Sequence, residues 1–233
     1  MKLRLASYNV HKCLGTDRVR SAGRVLDVIN EIEADVIAVQ EADHRLGPRR
    51  AALPAKLVEA GSDFVVAPLA LSPVSLGWHG NAILLRRTMA LHRVERLLLP
   101  GLEPRGAVAV EFGGPRGPVR LVGVHLGLIR RYRLMQLHAI RAALSVRAAM
   151  PTVILGDFNE WASQGGMEPL ADAFHVHAPG RSFHASRPVA ALDRIALGRD
   201  VHLKDAGVIE TPLSRAASDH LPVWADVGIG PEP

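Results

Sequence analysis

The chain has 233 residues, 48% hydrophobic and 22% charged, enough to bury a sizeable core and ordinary for a soluble globular protein. Its single cysteine, Cys13, excludes an intrachain disulfide, and no apolar run is long enough to span a bilayer. A net charge of +5 and a pI near 10.0 favour anionic partners such as phosphate esters, nucleic acid or acidic lipid surfaces, although a diffusely solvated basic surface has the same composition.

Leu3 to Asn9 alternates apolar and polar residues, which predicts a half-buried strand rather than the continuous apolar core of a signal peptide. A cytoplasmic location is the expectation. From Ser21, a candidate N-cap, the period changes: Val25, Val28, Ile29 and Ile32 fall on one helical face. Asp35 to Gln40 is a short apolar strand ending in polar Gln40 and Glu41. Pro48 to Ala60 reads as a helix with a break at Pro54, stopped by Gly61.

Three strands follow, Asn81–Leu85, Ala107–Phe112 and Val119–His125, with Gly113, Gly114, Pro115, Gly117 and Pro118 marking a hairpin loop. Arg131 to Ala149 is the strongest helix, with Leu134, Leu137, Ile140 and Leu144 at helical spacing. Thr152–Leu155, Leu192–Leu197 and Val223–Ile229 are further strands. Helices interrupt the strands without alternating strictly, which favours α+β or layered α/β over a regular parallel barrel. No linker or composition shift appears, so residues 1–233 read as one domain.

Polar residues recur at the ends of apolar strands: Asn9, Gln40 and Glu41, His125, Asp157 and Asn159, Asp193, and Ser218, Asp219 and His220. Strand ends are rigid, and the loops that leave them can aim side chains at a common point. Carboxylates and amide oxygens suit hard Mg²⁺, and histidines can donate to phosphoryl oxygens or move protons. Singly, each has a plain reading as a turn, cap or solvated residue. No G-x-S-x-G elbow points to a covalent serine mechanism.

The ordered set carries more. SYNVH (Ser7 to His11), VQE (Val39 to Glu41), GVHL (Gly123 to Leu126), GDFNEW (Gly156 to Trp161), LDRI (Leu192 to Ile195) and SDHLPV (Ser218 to Val223) resemble the endonuclease/exonuclease/phosphatase, or DNase I-like, family. GNAIL (Gly80 to Leu84) and EPRGAV (Glu103 to Val108) are weaker matches. The resemblance implies a four-layer α/β/β/α sandwich with its site at one edge. It implies Glu41 as principal Mg²⁺ ligand, with Mn²⁺ able to substitute, assisted by Asn9 and Asp219. It makes Asp157 the residue that orients or deprotonates the attacking water, with Asn159 holding water or phosphate. His220, polarised by Asp193, would donate to the phosphoryl group, and His125 would stabilise a phosphate oxygen from the other side. Water would attack phosphorus in line with the leaving oxygen.

Two departures from the family pattern stand out. His11 occupies a place that is often acidic in the family, which removes a second carboxylate. GVHL also replaces the Tyr-x-Pro-Asn of apurinic-site endonucleases, so the expectation is a phosphodiesterase or phosphatase acting on a small molecule or lipid headgroup, with an endo- or exodeoxyribonuclease using the same site as the alternative. Arg194, beside Asp193, is a candidate substrate contact. Arg130, Arg131 and Arg133 read as a steering group or as a solvated helix start, and Trp161 as a pocket wall or a core residue. His175 and His177 alternate as on a strand face but have no Cys or HExxH partner for zinc. With 4% aromatic residues, an extensive base-stacking surface is disfavoured.

Overall fold

The computed structural model describes residues 1–114, 117–163 and 165–230; Pro115 of the expected hairpin loop lies outside them. In chain order the elements are β1 (Lys2–Asn9), α1 (Ala22–Glu31), β2 (Val36–Gln40), α2 (Ala55–Gly61), β3 (Phe64–Val66), β4 (Ala82–Arg86), β5 (Ala90–Leu98), β6 (Gly106–Gly114), β7 (Gly117–His125), α3 (Arg130–Ser145), β8 (Thr152–Asp157), β9 (His175–His177), β10 (Asp193–Leu197), β11 (Val201–Val208), α4 (Pro212–Ala217) and β12 (Val223–Ile229). They form two six-stranded mixed sheets, ordered β11-β12-β1-β2-β4-β3 and β5-β6-β7-β8-β10-β9. The β1–β2 and β7–β8 pairs are parallel, and the other pairs are antiparallel.

Side-chain alternation sorts the strands into layers. Leu3 and Leu5 of β1 and Val36 and Ala38 of β2 face Leu121 of β7, Val153 and Leu155 of β8, and Ile195 and Leu197 of β10, and this is the core between the sheets. On the outer face of the first sheet, Ala6, Tyr8, Ile37 and Val39 pack against Val25, Val28 and Ile29 of α1 and Val58 of α2. On the outer face of the second, Val122, Val124, Ile154 and Ala196 meet Leu137 and Ile140 of α3. The result is the expected α/β/β/α sandwich. Each fully buried aliphatic side chain contributes about 1.5–3 kcal/mol relative to exposure.

Several local expectations change. The helix expected over Pro48–Ala60 begins only after Pro54, which caps α2; the preceding residues make a bridge and turns. Pro54 has no N–H to donate, so the helix starts there instead of continuing through it. The long strand β5 was not expected, because its exposed, charged Ala90–Leu98 sequence lacks a clean apolar alternation at a sheet edge. The Ser21 cap forms, its hydroxyl accepting from the Arg24 amide at 3.2 Å.

Candidate active site

The parity that builds the central core also builds the site. Continuing Leu3 and Leu5 along the inner face of β1 brings Ser7 and Asn9 to its end. The same step along β8, β7 and β10 brings Asp157, His125 and Asp193. Register places these three side by side, with His125 opposite Asp157 and Asp157 opposite Asp193. The sheets are joined here: Asn9 Nδ2 donates to Asp157 Oδ2 at 3.0 Å.

Asp157 Oδ1 accepts the Asn159 backbone amide at 2.9 Å, and the Asn159 side chain donates to the Leu126 carbonyl at 2.9 Å. Asn159 is left-handed at φ 52°, which an Asn tolerates. The preceding Gly156 has φ 152°, and a Cβ there would come within 1.9 Å of the Val124 carbonyl oxygen. Gly156 thus permits the close approach of β7 to β8, and Asn159 turns the chain just past the strand end.

His220 arrives from the loop before β12. Ser218 anchors that loop by donating to the Asn9 carbonyl at 2.7 Å. His220 Nδ1 lies 2.8 Å from Asp193 Oδ2, and its Nε2 lies 3.8 Å from Asp157 Oδ2. Ser182 also donates to Asp193 Oδ2. Burial alone would lower the His220 pKa, but Asp193 and then Asp157 outweigh it and raise it to about 10. Burial pushes Asp157 up to about 6, helped by Asp193 and opposed by His220.

His125 lies on the other side of Asp157, with Nε2 3.4 Å from Oδ2. Arg105 Nη1 is 2.8 Å from that same Nε2, and a guanidinium can only donate, so Nε2 is an acceptor and the ring is neutral. Burial, then Arg105, holds the His125 pKa well below its usual value.

Glu41 departs from strand alternation. Its φ of 54° ends β2 and redirects the side chain, which is 11% exposed, to the site cleft. Lys12 and Arg45 pair with its two carboxylate oxygens. Burial would raise its pKa, but the pairing with Lys12 and Arg45 opposes this and favours the ionised carboxylate. Asp219 is half-buried, with Oδ1 3.7 Å from His11 Nδ1. Thus Asn9, His125, Asp157, Asn159, Asp193 and His220 come together, with Glu41 and Asp219 on flanking loops.

Arg194 does not join them. Adjacent to Asp193, it points to the opposite face of β10, and its guanidinium donates to the Ala162 carbonyl at 3.0 Å. Arg133 is a buried partner of Glu160 at 2.8 Å rather than part of a solvated helix face. Arg130 pairs with Glu168 at the surface. Trp161 is 62% exposed and meets the Phe183 ring edge-on at 5.8 Å, while Phe183 lies 5.0 Å from His220. Burial raises the Cys13 thiol to about 12, which disfavours the thiolate that a nucleophile needs. Sequence reasoning missed Lys12, Arg45, Arg105 and Ser182; of these, only Arg105 lay in a segment already singled out, EPRGAV.

Among the described residues, no group of three or more His, Cys, Asp or Glu side chains is arranged to hold a metal, and no helix is long and apolar enough to cross a membrane. No curated protein matches the sequence. Among solved structures, an endonuclease/exonuclease/phosphatase from Beutenbergia cavernae is 21% identical with TM-score 0.73, over 98% of this chain and 72% of that one. D. rerio TDP2 complexed with single-strand DNA product is 16% identical with TM-score 0.73, over 97% and 99%. A mannosyl-6-phosphatase from Bacteroides thetaiotaomicron is 18% identical with TM-score 0.71, over 97% and 99%. Their likeness is one of fold. The model of the Endonuclease/Exonuclease/phosphatase family matches residues 6–220. That family's members are hydrolases of phosphate esters and generally use divalent metal ions. With the motifs, the layered sheets and a family match across nearly the whole sequence, this chain belongs to the endonuclease/exonuclease/phosphatase family.

Proposed function

We propose that this chain is a metal-dependent phosphoesterase that hydrolyses a phosphodiester or phosphomonoester by direct in-line attack of water. The observation that supports this most is the continuous chain Asn9–Asp157–His220–Asp193, which crosses from one sheet to the other with a carboxylate beside an imidazolium.

The donor set at Glu41 fits a hard cation. The Glu41 carboxylate offers hard oxygen atoms and already draws two cationic groups, Lys12 and Arg45. Mg²⁺ keeps most of its water shell and needs only one or two protein carboxylates, so a three-acid cluster is not required. Glu41, with Asn9 and Asp219, would hold Mg²⁺ or Mn²⁺. Bound there, the ion supplies positive charge to the phosphoryl oxygens as charge redistributes in the transition state.

The chain's own residues do the rest. Asp157, fixed by the Asn9 side chain and the Asn159 amide, orients the attacking water and accepts its proton. His220 donates from Nε2 to a phosphoryl oxygen while Asp193 holds its charge. Arg105 brings a buried guanidinium to the His125 corner, so this pair opposes negative charge from the other side. Asn159 lines the water's approach. A small molecule or lipid headgroup is the favoured substrate. The fold shared with TDP2, a protein captured with a DNA product, keeps a nuclease as the second reading.

The test is hydrolysis of bis-p-nitrophenyl phosphate and p-nitrophenyl phosphate with Mg²⁺ or Mn²⁺, followed by plasmid DNA and lipid phosphodiesters. Turnover should require the metal and fall by about 10³-fold or more in both Asp157→Ala and His220→Ala. Activity surviving both substitutions would place the chemistry elsewhere.

A further inference from the structure

Beside Glu41 and His125 the site opens into a cleft whose lining also includes Arg45, Arg49 and His79. Its three carboxylates are already satisfied within the protein. Glu41 is paired with Lys12 and Arg45. Asp43 accepts the backbone amides of Leu76 and Gly77. Glu103 is paired with Arg105 and accepts the Leu128 amide.

Arg49 is different. Among the described residues, no carboxylate lies within 4.0 Å of its guanidinium, although the charge reaches Asp43 as a field. Its one side-chain partner is His79 Nδ1, at 3.0 Å. Because a guanidinium only donates, that nitrogen is an acceptor. Burial together with Arg49 lowers the His79 pKa, in keeping with the acceptor nitrogen that it turns to the guanidinium. Ser75 Oγ donates to the Arg49 carbonyl at 2.8 Å, pinning the backbone. The outcome is a half-buried cation held in place by a neutral imidazole, with most of its five N–H donors free and no counter-anion. Such a guanidinium is a ready partner for the oxygens of a phosphate or carboxylate.

We infer that Arg49, oriented by His79, binds a second anionic group of the substrate, so that the favoured phosphate ester carries another phosphate or a carboxylate a short distance from the scissile one. This rests on the phosphoesterase reading for the position of the first phosphate. It narrows the substrate class, because a phosphate ester with no second anion would leave Arg49 unpaired. Arg45, at the rim and 58% exposed, adds to the attraction without being fixed in the same way.

The test uses ligands that cannot be hydrolysed: straight-chain alkanes bearing a phosphonate at both ends, three to six carbons long, against the matching monophosphonates. Dissociation constants are measured by calorimetry at a fixed excess of Mg²⁺. At one chain length the second phosphonate should tighten binding about tenfold or more, as for one charge-assisted contact. Arg49→Gln should remove that gain while the monophosphonate still binds, which also reports an intact fold. Arg50→Gln deletes the same charge next door, outside the cleft, and should keep the gain. The inference is overturned if no chain length binds more tightly than the monophosphonate, if Arg49→Gln keeps the gain, or if Arg50→Gln loses it equally. If neither ligand type binds, the phosphoesterase reading falls with it; if the monophosphonate binds and the second group adds nothing, only this inference falls.

Discussion

His125 and His220 flank the same carboxylate oxygen of Asp157, at 3.4 and 3.8 Å, and each is only 4% exposed. Yet one is held well below the ordinary imidazole pKa and the other is raised to about 10. Burial lowers both. The next neighbour decides: Arg105 stands against His125, and Asp193 against His220. Equal burial beside a shared carboxylate therefore yields a neutral acceptor on one side and a charged donor on the other. The second neighbour sets the charge of each ring, and for His220 that neighbour is Asp193.

The largest expected effect comes from erasing that difference. Asp193→Asn keeps the shape but removes the charge that sustains the His220 imidazolium. The kcat should fall by about 10²–10⁴-fold with KM little changed, in the range of general acid–base contributions. Imidazole nitrogen shifts should show His220 titrating at lower pH than in the wild type. If His220 stays protonated to high pH in this variant, the account of the two histidines is wrong.

A smaller effect should appear in stability. The folded pKa of His220 is raised, so its contribution is fully present below the unfolded value of 6.5 and is lost as pH rises through about 10. The folded pKa of His125 is lowered, so the unfolded chain binds its proton more readily, and stability is lost as pH falls below 6.5. His220→Gln should flatten the alkaline decline in Tm, and His125→Gln the acidic one. The scale is roughly 2–4 °C per kcal/mol for a chain of this size. If both variants shift Tm equally at every pH, the two rings do not differ in charge.

The placement of these residues, though not the contrast between the two histidines, was legible in the sequence, and the reason is parity. Once Leu3–Asn9, Val119–His125 and Thr152–Leu155 are read as strands, alternation carries each inner face to Asn9, His125 and Asp157. The same rule turns Arg194 away from Asp193, a consequence that adjacency in sequence hides. What stayed hidden depends on departures from regular backbone or on distant contacts. Glu41 and Lys12 meet because both are left-handed, at φ 54° and 55°, and no strand or helix period predicts that. Arg105 reaches His125 from the loop just before β6, 20 positions earlier, and Ser182 reaches Asp193 from a loop. The edge strand β5 escaped because an exposed edge needs no apolar alternation.

The smallest expected effect sharpens the contrast at its rim. Beyond His125 the cleft is charged, ending in Arg49; beyond His220 stands an aromatic wall, with Phe183 against the imidazole and Trp161 against Phe183. Trp161, at 62% exposed, contributes little to the fold, so its removal should register in substrate binding instead. A planar leaving group resting on this wall would gain an aromatic contact worth about 0.5–1.5 kcal/mol, and less while the ring remains wet. Trp161→Ala should therefore raise KM for p-nitrophenyl esters by about 2–5-fold and leave kcat nearly unchanged, with a smaller change for alkyl esters of the same phosphate. An equal rise for both ester types would make Trp161 a spectator of the leaving group, and the two flanks of the site would differ in charge alone.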